Sequence, residues 1–162
     1  MRKIFLALLV LAGAFVKSTS AGLPAVVASH FGPGGAANGF MGKGTYEVFM
    51  LALVVGVPAL VAFSPRLLRN MPPKLVNLPH RQYWLAPERR AATFESLSSL
   101  TLWFAMALAV FLSFCHWLVV RAHATQTPEL PGIWFFAGLG LFSAFTLSWV
   151  LVLFRRFGRL PR

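Results

Sequence analysis

The chain has 162 residues, of which 57% are hydrophobic and only 12% charged. Soluble domains carry about 25% charged residues, so there are too few charges here to coat a water-facing surface. Fifteen Lys and Arg stand against four Glu, with no Asp. In so apolar a chain that excess reads as membrane topology rather than nucleic-acid binding.

Four apolar runs set the architecture. They lie at Ile4–Val16, Tyr46–Phe63, Leu100–Val120 and Ile133–Phe154. At 1.5 Å per residue the last three reach roughly 27, 32 and 33 Å, against a hydrocarbon core of about 30 Å. Backbone groups in lipid must pair within the segment, so each run is read as a helix. The predicted fold is all-α: a single four-helix integral membrane bundle over residues 1–162, with helices at about 2–22, 45–64, 87–121 and 132–155. A structured Gly-rich loop, residues 23–44, follows helix 1 on the outer side, and a cytoplasmic loop spans residues 65–86.

The first run is the shortest. It suits a signal-peptide core, with Lys17 to Ala21 as the cleavage region, or a retained helix reaching Gly22 with Lys17 turned to the surface. Retention is the expectation: Gly22 suits a helix end, and Pro24 just beyond it cannot continue the helix. With the amino terminus inside, twelve Lys and Arg fall on the cytoplasmic side, from Arg2 to Arg162. Only Lys17, Lys43 and Arg121 fall outside. Both termini are therefore predicted cytoplasmic. Pro58, with Gly56 beside it, predicts a mild kink in helix 2.

Small residues recur every fourth position: Ala105, Ala109 and Ser113 on helix 3, and Gly140, Ala144 and Ser148 on helix 4. Such stripes let helix backbones approach closely in lipid. They are expected to face each other or a partner protein.

Two loops concentrate the remaining signal. The outer one holds Leu23, Pro24, His30, Phe31, Gly34, Gly35, Asn38, Gly39 and Lys43, and six of the thirteen glycines lie between Gly32 and Gly44. It is a candidate binding or structural motif. Gly42-Lys43 does not make a phosphate loop, because Ala37 stands where the motif needs Gly and Gly44 where it needs Ser or Thr. The inner loop holds Asn77, Pro79, Arg81, Tyr83, Trp84, Pro87, Glu88, Arg89 and Arg90. Its arginines and aromatic rings suit anionic headgroups or a docked partner, and Pro87 with Glu88 suits a helix start.

Little catalytic chemistry is on offer. Without Asp, a Ser-His-Asp triad is excluded, and Cys115 is the single cysteine. No charged residue lies mid-membrane, which argues against an ion-coupled pump built from this chain alone. His30 and His123, on the same predicted side, are the residues a metal would use, but they lack ligand spacing on one helix. No cofactor is expected.

Leu23-Pro24, His30-Phe31, Gly34 or Gly35, Asn38-Gly39-Phe40 and Lys43 resemble an uncharacterised bacterial membrane domain that also occurs at the N-terminal end of SdpI-type toxin-immunity proteins. Asn77-Leu78-Pro79, Tyr83-Trp84 and Pro87-Glu88-Arg89-Arg90 resemble the cytoplasmic loop of the same family. The resemblance implies a retained first helix, the bacterial inner membrane, and a role in immunity to a peptide toxin or in signalling. Three functional expectations follow: a non-catalytic accessory subunit of a membrane complex, with the bilayer and a membrane protein as partners; an SdpI-like sensor binding an external peptide; or a metal-binding membrane protein.

Overall fold

The structure, a computed structural model, describes residues 1–125 and 127–160. Arg162, counted above toward the charge bias, lies outside the described residues. Four helices are long and apolar enough to cross a membrane: α1 (Arg2–Ser20), α2 (Lys43–Arg69), α4 (Pro87–Ala122) and α5 (Gly132–Phe157). A one-turn helix, α3 (Arg81–Trp84), sits in the link between α2 and α4. Large apolar side chains cover the outside of the bundle, among them Val10, Leu60, Leu141 and Ile133. Water would not tolerate so continuous an apolar surface, whereas lipid does.

The connections bring Arg2, Arg66 and Ser98 to one end of the bundle, and Phe157 joins Leu85 and Phe94 in a small core there. This is the arginine-rich end. At the opposite end, the loop after α1 forms a β-hairpin of β1 (Val26–Phe31) and β2 (Ala37–Gly42). The structured loop expected from the sequence thus takes the form of two paired strands. The strands pair antiparallel, Val26 opposite Gly42 and Phe31 opposite Ala37, with an irregularity around His30. Gly35 turns the hairpin at a φ of 87°. Its carbonyl accepts the Leu130 N–H at 2.8 Å, tying the hairpin to the α4–α5 link.

Helices α1, α2 and α4 form the packed part. Toward the hairpin, Ala12, Val16, Leu23, Val27, Tyr46, Met50 and Val54 make one buried cluster. Toward the arginine-rich end, Phe5 and Leu9 pack on Leu102, Ala105 and Ala109. Of the two expectations about the stripes, that they face each other is not what the structure shows. Ala105 and Ala109 are fully buried, but against α1 and the flanking residues of α2. Ser113 donates to the Ala109 carbonyl at 2.8 Å. Gly140, Ala144 and Ser148 are exposed and do not meet that stripe. Helix α5 rests on α4 through rings instead: Phe142 stacks on Phe111 at 4.5 Å, and Phe104 lies between Phe142 and Trp149. Bulky aromatic contacts replace the close backbone approach that small residues would have permitted.

Both prolines of α2 are accommodated locally. Pro58 has no N–H to give, and the turn before it, Ala52–Gly56, widens to π-helical geometry, with the Val57 N–H donating to the Ala52 carbonyl. Pro65 leaves the Val61 carbonyl without its usual backbone donor, and the Ser64 hydroxyl supplies one at 2.8 Å.

A side chain at Gly35 would be strained twice over, by the positive φ and by a Cβ 2.7 Å from the Leu130 carbonyl oxygen. Gly35→Val is expected to destabilise the protein by about 1–3 kcal/mol through backbone strain alone, read as a lowered Tm in detergent. An unchanged Tm would mean that the hairpin does not hold this turn.

Candidate functional site

The site with the most polar chemistry lies under the hairpin, where three spans bring one residue each to the same depth. His116 of α4 is fully buried. Its Nε2 is 2.7 Å from Thr19 Oγ1 of α1, and its Nδ1 is 2.9 Å from the Tyr46 hydroxyl of α2. The proton order can be worked out. Thr19 donates its hydroxyl proton to the Phe15 carbonyl at 2.7 Å, so toward His116 it accepts, and Nε2 carries the imidazole proton. Nδ1 is then the acceptor, and Tyr46 donates to it. For a neutral imidazole the chain Tyr46 to His116 to Thr19 to Phe15 is then complete. Phe15 meets the ring edge-on and Tyr46 stacks beside it, both at 5.7 Å.

In the sequence Tyr46 only opens the second apolar run and Thr19 falls in the last turn of the retained first helix, so the sequence reading does not contain this network. The available signal was that three polar residues sit within about two turns of the outer ends of three successive spans. Ser20, next to Thr19, is also fully buried, and its Oγ is the one buried side-chain polar atom without a partner among the described residues.

The outer-loop residues surround this layer. Lys43 Nζ donates to the Ala21 and Leu23 carbonyls, at 2.6 and 3.1 Å, and so caps the end of α1. Leu23 is buried and Pro24 exposed. The exposed His30 lies over Gly39, where a Cβ would come within 2.9 Å of the His30 Cβ, and its Nδ1 is 3.2 Å from Ser29 Oγ. Gly39 thus makes room for the His30 ring. Asn38 and Gly34 are exposed, and Phe31 is half-buried. Lys17 pairs with Glu47 at 2.6 Å, a solvent-facing contact worth about 0–1 kcal/mol.

His123, at the end of α4, accepts the Ala28 N–H on Nε2 at 3.0 Å and donates from Nδ1 to the Val119 carbonyl at 2.9 Å. Both ring nitrogens are therefore engaged in joining hairpin to helix. Among the described residues, no three His, Cys, Asp or Glu side chains are grouped to hold a metal ion.

At the other end, the inner-loop residues build an elbow. His80 takes a left-handed backbone conformation and its ring nitrogen donates to the Gly158 carbonyl at 3.2 Å. Trp84 Nε1 donates to the Phe157 carbonyl at 2.9 Å. Arg81 bonds the Lys74 carbonyl, and Arg90 the carbonyls of Arg69 and Met71 at the end of α2. Arg89 sits 4.1 Å from the Tyr83 ring centre and pairs with Glu88. Pro87 opens α4, as its missing N–H suits. Asn77 lines a shallow hollow with His80 and Arg81, while Pro79 is half-buried.

No family model matches the chain, and no curated protein or solved structure matches it. The site must therefore be read from its own geometry. Its polar groups are arranged in closed pairs: each donor in the His116 layer ends on an acceptor, and the prominent loop cations end on carbonyls.

Two substitutions separate engaged from idle groups. Tyr46→Phe leaves the buried Nδ1 without a donor and is expected to cost about 1–3 kcal/mol. Ser20→Ala removes a hydroxyl that bonds to nothing and is expected to change stability by no more than about 0.5 kcal/mol. Chemical or thermal unfolding in detergent reads both, and equal losses would contradict the hydrogen-bond order given above.

Proposed function

We propose that the protein is a non-catalytic accessory subunit of a larger membrane complex, with its arginine-rich end in the cytoplasm and its hairpin outside, as in the inner membrane of a bacterium. The observation that carries this is α5. None of its most apolar 18-residue window is buried, and it rests chiefly on α4. Its exposed face carries Gly140, Ala144 and Ser148 at the spacing that lets another helix approach closely. The closed polar layer fits the same reading, since its groups serve to fix the bundle rather than to meet a substrate. The arginine count at one end supports the orientation.

A second reading, an SdpI-like sensor of an external peptide, draws on the hairpin. A two-stranded sheet has open edges to which an extended peptide adds as a strand. A hollow of about 470 Å³ also lies at its turn, between Gly34, Arg121 and Glu129. The metal-binding reading has less support, because both nitrogens of His123 are already engaged.

The test is photo-crosslinking in native membranes from a residue introduced at Ala144, with Val10 on the exposed face of α1 as the control. The expected product is one stoichiometric adduct with a different membrane protein from position 144 and none from position 10. Lipid adducts alone, together with elution of the purified chain on its own, would overturn the subunit reading.

A further inference from the structure

The arginines of the elbow end divide into two groups. Arg81, Arg89, Arg90 and Arg156 all have protein partners: the Lys74 carbonyl, Glu88, the α2 carbonyls and Ser96 Oγ. Among the described residues Arg2, Arg66 and Arg69 make no hydrogen bond or ion pair, nor do Arg155 and Arg159, but only the first three come together. The two ion pairs among the described residues are Lys17–Glu47 and Arg89–Glu88, so no carboxylate neutralises any of the three. All three line one cleft of about 520 Å³ between the start of α1, the end of α2 and the start of α4. Glu95 is the single acid on its wall, which leaves three guanidiniums against one carboxylate, a net charge of +2. Ser98 also faces it, with its proton already given to the Phe94 carbonyl.

The cleft continues downward. Arg2, Arg66 and Ser98 also rim a second hollow, about 140 Å³, whose walls are apolar: Phe5, Leu6, Ala62, Phe63 and Leu102. The Arg66 guanidinium lies 5.2 Å from the Phe63 ring centre, at the boundary between the two chambers. Leu6 and Phe63 are both exposed on the lipid side, so the lower chamber opens into the bilayer. A cationic chamber at the helix ends above an apolar one within the membrane matches one kind of molecule. We propose that this cleft binds an anionic phospholipid, its phosphodiester held by Arg66 and Arg69 with Arg2 closing the rim, and one acyl chain entering between Leu6 and Phe63. Guanidinium forks pair with phosphate oxygens in two-point fashion, and an anionic leaflet attracts cations placed at its surface. A free inorganic anion would use only the upper chamber and leave the apolar one without a role.

The experiment uses the full chain, extracted from vesicles of phosphatidylcholine and phosphatidylglycerol in equal parts, with retained lipid counted by native mass spectrometry. The wild-type protein is expected to keep one phosphatidylglycerol in preference to phosphatidylcholine by roughly tenfold. Arg66→Gln with Arg69→Gln should abolish that preference. Arg155→Gln, which removes an equally exposed charge at the same end but lines neither chamber, should leave it intact. Arg2→Gln, at the start of α1, provides a milder variant should the double one fail to fold, and it should weaken the preference several-fold. Equal retention of both lipids by the wild type would overturn the proposal. So would loss in Arg155→Gln matching that in the double variant, or displacement of the lipid by inorganic phosphate alone.

Discussion

The structure depends on the need of every backbone N–H and C=O in lipid to find a partner within the protein. Helices meet that need along their length and fail at their ends and at proline. At several such places this chain supplies a side chain. Lys43 covers the end of α1 and Arg90 the end of α2. The Ser64 hydroxyl answers for Pro65, and the widened turn before Pro58 keeps the backbone paired. Within α4, the Leu100 carbonyl also accepts from Trp149 Nε1 at 2.8 Å, the polar contact that seats α5. Residues that look like candidates for binding in the sequence thus serve as terminators of helices.

The same rule explains the His116 layer. An imidazole among apolar side chains is tolerable when both nitrogens are matched, and here each of three spans contributes a member. The layer fixes the relative depth of α1, α2 and α4, because sliding α4 by a turn would break two bonds at once and sliding α1 or α2 would break one each. Dispersion contacts among Val16, Met50 and Val54 are far less sensitive to such a slide. Polar specificity and apolar packing therefore divide the work: the first sets register, and the second holds the helices together.

What could be read from the sequence follows from this division. The four spans were legible because lipid selects for long apolar runs, whatever the neighbours. The place of the disturbance in α2 was legible because proline acts on its own turn, but the sequence suggested a kink and the structure shows a widened turn. The hairpin was not, since six glycines and a proline in residues 32–44 mask the short Val26–Phe31 strand, and its register depends on contacts with the α4–α5 link. Helix contacts were misjudged for a related reason. Small-residue spacing shows that a face permits close approach without showing which neighbour comes, so Ala105 and Ala109 went to α1 while the α5 stripe stayed open. The Tyr46–His116–Thr19 chain crosses sequence separations of 70 and 97 residues, and no local pattern announces it.

Helix α4 carries one more implication. Its 36 residues form an unbroken rod of about 54 Å, far longer than the hydrocarbon core. Near its start Thr93 is bonded to the Trp84 carbonyl of the elbow, and at its end His123 is bonded to Ala28 of the hairpin. The two sides of the membrane are thus clamped to opposite tips of a single stiff element. Pivoting this rod by one degree at the elbow displaces the hairpin by about 1 Å, a third of a hydrogen-bond length. The loops on the two faces are mechanically one body, and neither can shift its tilt without carrying the other along.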